Sequence, residues 1–90
     1  MATLITTDGE KKEVTPQNKR EFTLQELQDY VGGWIEIVHG IGDRTMVVNE
    51  EGKINDLPMN AEATNLFQTF KGNHDYLCGN VLLCEDSEIL

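Results

Sequence analysis

The side chains able to do chemistry in this chain are few, and their spacing limits what they can do. His39 and His74 are the only histidines, and both fall among residues that favour turns. A catalytic histidine needs a partner group and a cleft to hold it, and a lone histidine on a turn is ordinarily solvated. Toward the C-terminus, Cys84 and Ser87 are the candidate nucleophiles, and neither stands in a nucleophile-elbow sequence. Glu50 and Glu51 are adjacent, so on extended backbone they point to opposite sides instead of facing one another. Gly40-Ile41-Gly42 starts like a phosphate-binding glycine loop. It lacks the third glycine, the Gly-Lys-Ser/Thr continuation and the following helix, and reads as a hairpin turn. No catalytic residue is assigned, and the chain is expected not to be an enzyme.

The same inspection gives no metal or cofactor site. Cys78 and Cys84 have a C-x5-C spacing that matches no zinc motif, and the two histidines do not form an H-x3-5-H pair. The two cysteines are expected to be reduced thiols that act as small buried hydrophobes.

Binding chemistry is better represented. Seven basic and sixteen acidic residues give a net charge of −9. The first twenty residues hold four of the cations, Lys11, Lys12, Lys19 and Arg20, so the remainder is strongly acidic. A phosphate backbone needs clustered lysine and arginine, and direct nucleic-acid binding is therefore not expected. An acidic balance serves solubility, or it forms a face that docks on a basic protein surface. Glu36, Asp43, Glu50 and Glu51 lie close together in sequence around a predicted strand pair. Arg44, the only cation between Arg20 and Lys53, either pairs with Asp43, Glu36 or Glu50 or contacts an anionic ligand. Trp34 is the only tryptophan and alternates onto the Glu36 side of its strand. It is either an exposed interface anchor or a residue covered by a helix. Trp34, Glu36, Asp43, Arg44, Glu50 and Glu51 are the candidate partner-binding residues.

These residues need a scaffold, and ninety residues allow one domain with one thin core. Residues 1–15 read as a hairpin turned by Asp8-Gly9, and Pro16 ends it. Phe22-Thr23-Leu24-Gln25-Glu26-Leu27 combines a capping box (Thr23 with Glu26) and a hydrophobic staple (Phe22 with Leu27). A helix follows with Leu24, Leu27 and Val31 on one face, and Gly32-Gly33 stops it. Residues 34–38 and 45–48 are predicted to pair antiparallel across a turn at 39–43, and Lys53-Ile54 to form a short further segment. A second helix starts at Asn60 with Ala63, Leu66, Phe67 and Phe70 as its apolar stripe, and Gly72 ends it. Residues 76–84 read as a final strand interrupted at Gly79-Asn80, and residues 85–90 as an acidic tail that frays. The expected fold is α+β, a small antiparallel sheet of four to five strands with two helices packed on it, forming one domain over 1–90. No run is apolar enough to span a membrane. The opening MATLITTDGEKK lacks the pattern of a secretion signal, so a cytoplasmic protein is expected.

Three blocks carry a resemblance: YVGGWIEIVHG at 30–40, MVVNEEGKINDLPMNAEAT at 46–64 and YLCGNVLLC at 76–84. In this order they resemble a family of small proteins from bacteriophages, prophages and plasmids that forms a domain of unknown function. Its pattern runs V-G-G-x-I-E, V-N-E-E-G-K, L-P-x-N-x-x-A-T and G-N-V-L-L-C, and the likeness spans residues 22–84. The His39 to Thr45 loop is glycine-rich where the family leads one to expect a Pro-Asp-Gly turn. The resemblance implies a mobile-element origin and a bacterial cytoplasm, and it transfers no catalytic residue. By analogy of genomic context it implies an accessory factor against host defence. The leading expectation is an inhibitor that docks an acidic, Trp34-bearing face on a host defence protein. The alternatives are a sponge for a nucleotide immune signal, as a homo-oligomer because so short a chain rarely encloses a pocket of roughly several hundred Å³, and a structural or regulatory phage protein.

Overall fold

The computed structural model describes residues 1–89. Strands β1 (Ala2–Ile5), β2 (Lys11–Val14), β3 (Ile35–Ile41), β4 (Arg44–Asn49) and β5 (Val81–Glu85) form one antiparallel sheet in the order β2-β1-β5-β4-β3. Helices α1 (Leu24–Val31) and α2 (Ala61–Lys71) complete an α+β fold with five strands and two helices.

The helices take opposite faces of the sheet, and the composition of β4 explains why. Thr45 through Asn49 are all buried, so both alternating sets of side chains need cover. Val47, Leu82, Cys84 and Ala2 pack toward α1 with Phe22, Leu27 and Val31. Met46, Val48, Val81, Leu83 and Ile5 pack on the other side with Ala63, Leu66 and Phe67 of α2. Two thin cores thus share the central strands β4 and β5.

Both helix starts follow their sequence signals. The Thr23 hydroxyl accepts from the Glu26 amide at 3.2 Å, and the Glu26 carboxylate accepts from the Thr23 amide at 2.9 Å. Phe22 and Leu27 are both buried, as a staple requires. Leu24 departs from the expected buried face: it stands in the first turn, at the rim of the helix–sheet contact, and is half exposed. Asn60 caps α2 through Oδ1, which accepts from the Ala63 amide at 3.1 Å. Its Nδ2 donates to the carbonyls of Ile5 and Gly79, each at 2.9 Å, and fixes the helix start to both β1 and the approach to β5.

Four segments differ from expectation. β3 runs on to Ile41 with a bulge at Gly40 (φ 82), so the turn shrinks to Gly42-Asp43. Residues 50–56 form consecutive turns and contain no strand. The last strand begins only at Val81, because residues 76–80 are committed elsewhere. The Cys78 position bridges Met59, Leu77 bonds to Asn60 and Thr64, and the Asn80 side chain accepts from the Thr7 amide. The segment expected to fray is instead held over residues 85–89: Glu85 closes β5, Asp86–Glu88 forms a 3-10 turn, and Ile89 bridges Phe22. Glu88 is buried and pairs with the N-terminal amine at 3.2 Å, which brings the two chain ends together. Leu90 lies outside the described residues.

Candidate functional site

The acidic turn after β4 is positioned by one buried side chain. Asn49 Oδ1 accepts from the Glu51 amide at 2.8 Å, and its Nδ2 donates to the Val31 carbonyl at 3.1 Å. That carbonyl is among those at the end of α1 with no partner inside the helix, so Asn49 ties the helix end to the turn. A Cβ on Gly33 would sit 3.1 Å from Asn49 Nδ2, which keeps this approach free of side chains. The Glu50 amide then donates to the Trp34 carbonyl at 2.8 Å, extending the β3–β4 pairing one step past the strands.

The turns at 50–56 lie against residues 75–78. A Cβ on Gly52 would fall 2.6 Å from the Cys78 carbonyl oxygen, so only glycine permits the contact. Across this seam the Lys53 ammonium sits 4.3 Å from the centre of the Tyr76 ring and pairs with Asp75. The Lys53 hydrogen bond holds the Asp75 carboxyl below its ordinary range, with help from the Tyr76 amide, and Asp75 in turn raises Lys53. Between β3 and this seam runs a groove of about 250 Å³, lined among others by Glu36, Glu50, Lys53, Ile54, Asp75 and Tyr76. A shallow depression next to it is formed by Trp34, Glu50, Glu51 and Ile54. Trp34 is 64% exposed and Ile54 78% exposed, so two large apolar side chains face solvent around a pair of carboxylates.

The six candidate residues divide into two groups. Trp34, Glu36, Glu50 and Glu51 gather at one end of the β3–β4 hairpin. Asp43 and Arg44 lie at the other end, separated by the length of β4, ~17 Å at about 3.4 Å per residue. Arg44 is exposed and makes no ion pair among the described residues, so the pairing with Asp43, Glu36 or Glu50 is not formed. Although α2 covers the Val38–Met46–Val48 side of the sheet, Trp34 lies beyond its reach, between the end of α1 and the acidic turn. Sequence reasoning missed Lys53, Ile54, Asp75 and Tyr76. A single aliphatic residue inside the polar run 49–56 is the one signal that could have marked Ile54.

Elsewhere, the fold brings together a histidine, a hydroxyl and a carboxylate. His39 Nδ1 lies 3.2 Å from Thr45 Oγ1, and that hydroxyl donates to Asp86. In a nucleophilic triad the histidine stands between hydroxyl and carboxylate. Here the hydroxyl stands between the other two and is fully buried, so it is not presented to a substrate. Cys78 and Cys84 are free and buried, and burial, followed by Glu88 and Asp86, pushes the Cys84 thiol up to about 12. Among the described residues, no cluster of three or more histidine, cysteine, aspartate or glutamate side chains could hold a metal ion. No described helix is long and apolar enough to cross a membrane.

No curated protein and no solved structure matches the chain. A family model matches residues 1–89, which is nearly the whole sequence and includes every element of the sheet, both helices and the acidic turn. The chain belongs to the family described as a domain of unknown function (DUF3846).

Proposed function

We propose that this chain is a non-enzymatic binding protein that docks on a basic surface of another protein through Trp34, Ile54, Glu50 and Glu51. The observation that carries this reading is the pairing of two exposed apolar side chains with two carboxylates in one depression. Exposed tryptophans are frequent hot spots, with truncation costing ~2 kcal/mol or more. Surrounding carboxylates speed encounter with a basic partner and select against acidic ones. The resemblance to mobile-element proteins supplies the partner class, a host defence protein in a bacterial cytoplasm, and the role of counter-defence inhibitor. The nucleotide-sponge reading is weaker. A phosphate entering the groove would meet Glu36, Glu50 and Asp75, and the one cation there, Lys53, is already engaged by Asp75 and Tyr76.

The test is capture from bacterial lysate on the immobilised chain, beside the double variant Glu50→Lys/Glu51→Lys, over a series of salt concentrations. A protein retained by the parent at low salt, released as salt rises and absent from the double variant supports the reading. Equal retention by parent and variant, or retention indifferent to salt, overturns it and moves nucleotide binding to first place.

A further inference from the structure

The sheet has two free edges, and they are unlike each other. β2 is four residues long and carries Lys11 and Lys12 with Glu13, the short charged form that discourages further pairing. β3 is seven residues long, carries no lysine, arginine or proline, and has no strand paired to its outer side among the described residues.

The register fixes which groups face outward. Because Trp34 and Glu50 share a backbone hydrogen bond, the pairs that bond across to β4 are Glu36–Val48 and Val38–Met46. The alternate residues Ile35, Ile37 and His39 therefore turn their amides and carbonyls away from β4. The Lys71 ammonium confirms this parity, donating at 2.7 Å to the His39 carbonyl from outside the sheet. That contact and the Gly40 bulge close the far end of the edge. Among the described residues, nothing bonds to the outward amides and carbonyls of Ile35 and Ile37.

Side chains beside the open stretch differ on its two faces. On the α1 side, Leu24, Leu27, Phe22 and Ile89 join Ile35 and Ile37 around an apolar groove of about 150 Å³ over β3. On the other side stands exposed Glu36, with Glu50 next to it in the larger groove. We propose that the β3 edge is a strand acceptor, taking as a sixth, antiparallel strand an extended segment of the partner in which apolar and basic residues alternate. This rests on the reading of a basic partner. Apolar side chains would lie over the Leu24–Ile35–Ile37 groove, basic ones beside Glu36, and the main chain would bond to Ile35 and Ile37. The net charge of −9 opposes a second copy at this edge, since self-pairing would bring two acidic hairpins together.

The test titrates the isotope-labelled chain with a capped peptide of alternating valine and lysine. In an antiparallel addition the valine amides face β3 and the lysine amides face solvent. Binding should slow hydrogen exchange at the Ile35 and Ile37 amides. N-methylating the valine amides should weaken it at least about tenfold, against about twofold or less for the lysine amides. Glu36→Lys should also weaken binding about tenfold, and because Glu36 is exposed this variant should keep the parent fold. The proposal is overturned by no binding at millimolar peptide, by equal effects of the two methylations, or by a dimer with Ile35 and Ile37 protected in the absence of peptide. Binding that shifts Trp34, Glu50 and Glu51 without protecting Ile35 and Ile37 also overturns the edge and leaves the acidic-face reading standing. Equal lysate retention by the parent and Glu50→Lys/Glu51→Lys, with the peptide still protecting the Ile35 and Ile37 amides, would instead sink the acidic face and keep the edge.

Discussion

The Trp34 carbonyl accepts the Glu50 amide at 2.8 Å, so the only tryptophan and the acidic turn are joined through backbone. This single bond continues the β3–β4 register past the strands and sets the Trp34 and Glu50 backbones directly opposite one another. It also determines which amides of β3 face outward. Anchor, charge and open edge are therefore consequences of one strand pairing.

The start of α1 is set by reciprocal hydrogen bonds between Thr23 and Glu26. Thr23→Ala should lower stability by ~1 kcal/mol, the usual effect of losing an N-cap. Chemical denaturation checks this, and an unchanged midpoint would contradict the cap's contribution.

Loss of the Asn60 side chain is expected to be more damaging. Asn60→Ala removes the α2 cap and leaves the buried Ile5 and Gly79 carbonyls without the Nδ2 donor. A cost of about 3 kcal/mol follows from the cap plus the stranded acceptors. A loss well under 1 kcal/mol would show that water or a neighbour replaces the amide.

Acid should weaken the fold through the same cap. The Glu26 carboxyl is lowered by the Thr23 amide and then by the Gln17 amide. A carboxyl depressed in the folded state contributes stability above its unfolded value of ~4.3, and the contribution fades as pH falls through the folded value. The denaturation midpoint of the parent should exceed that of Glu26→Gln by a gap that is constant near neutrality and narrows below about pH 4. A gap that stays constant into acid would contradict this.

Cys84 should be inert while the chain is folded. With its thiol pushed up to about 12 by burial, only roughly one molecule in ten thousand is thiolate at about pH 8. A thiol reagent should label Cys84 slowly in the native protein and both cysteines rapidly after denaturation. Fast native labelling of Cys84 would show that the β5 core opens.

Both helix starts, both glycine stops and the N-terminal hairpin are legible in the sequence, because capping side chains, positive-φ glycines and turn residues act locally. The sequence around 76–80 misleads for the opposite reason. Its apolar run looks like strand, but Leu77 and Gly79 accept from Asn60 and donate to Thr64 and Pro58, partners distant in sequence. Glu88 likewise reads as part of a solvated tail until the N-terminus arrives to pair with it. At the site, Trp34, Glu36, Glu50 and Glu51 are neighbours along one hairpin and could be grouped from pattern alone. Ile54 and Tyr76 join them only because Gly52 lets the turns rest on the Cys78 backbone, a contact with no local signature. Asp43 and Arg44 are close to this group in sequence, but the length of β4 puts them at the opposite end.

The most direct measurement uses Trp34 as the reporter, since it is the only tryptophan and is 64% exposed. Its fluorescence should be followed while the partner isolated by lysate capture, made tryptophan-free by substitution, is added at low and at high salt. A blue shift that saturates at low salt, weakens as the Debye length falls below ~8 Å and disappears in Glu50→Lys/Glu51→Lys is the expected result. Saturable binding that leaves the Trp34 emission in its solvent-exposed position would contradict the account, because the partner would then be held by some other face of the molecule.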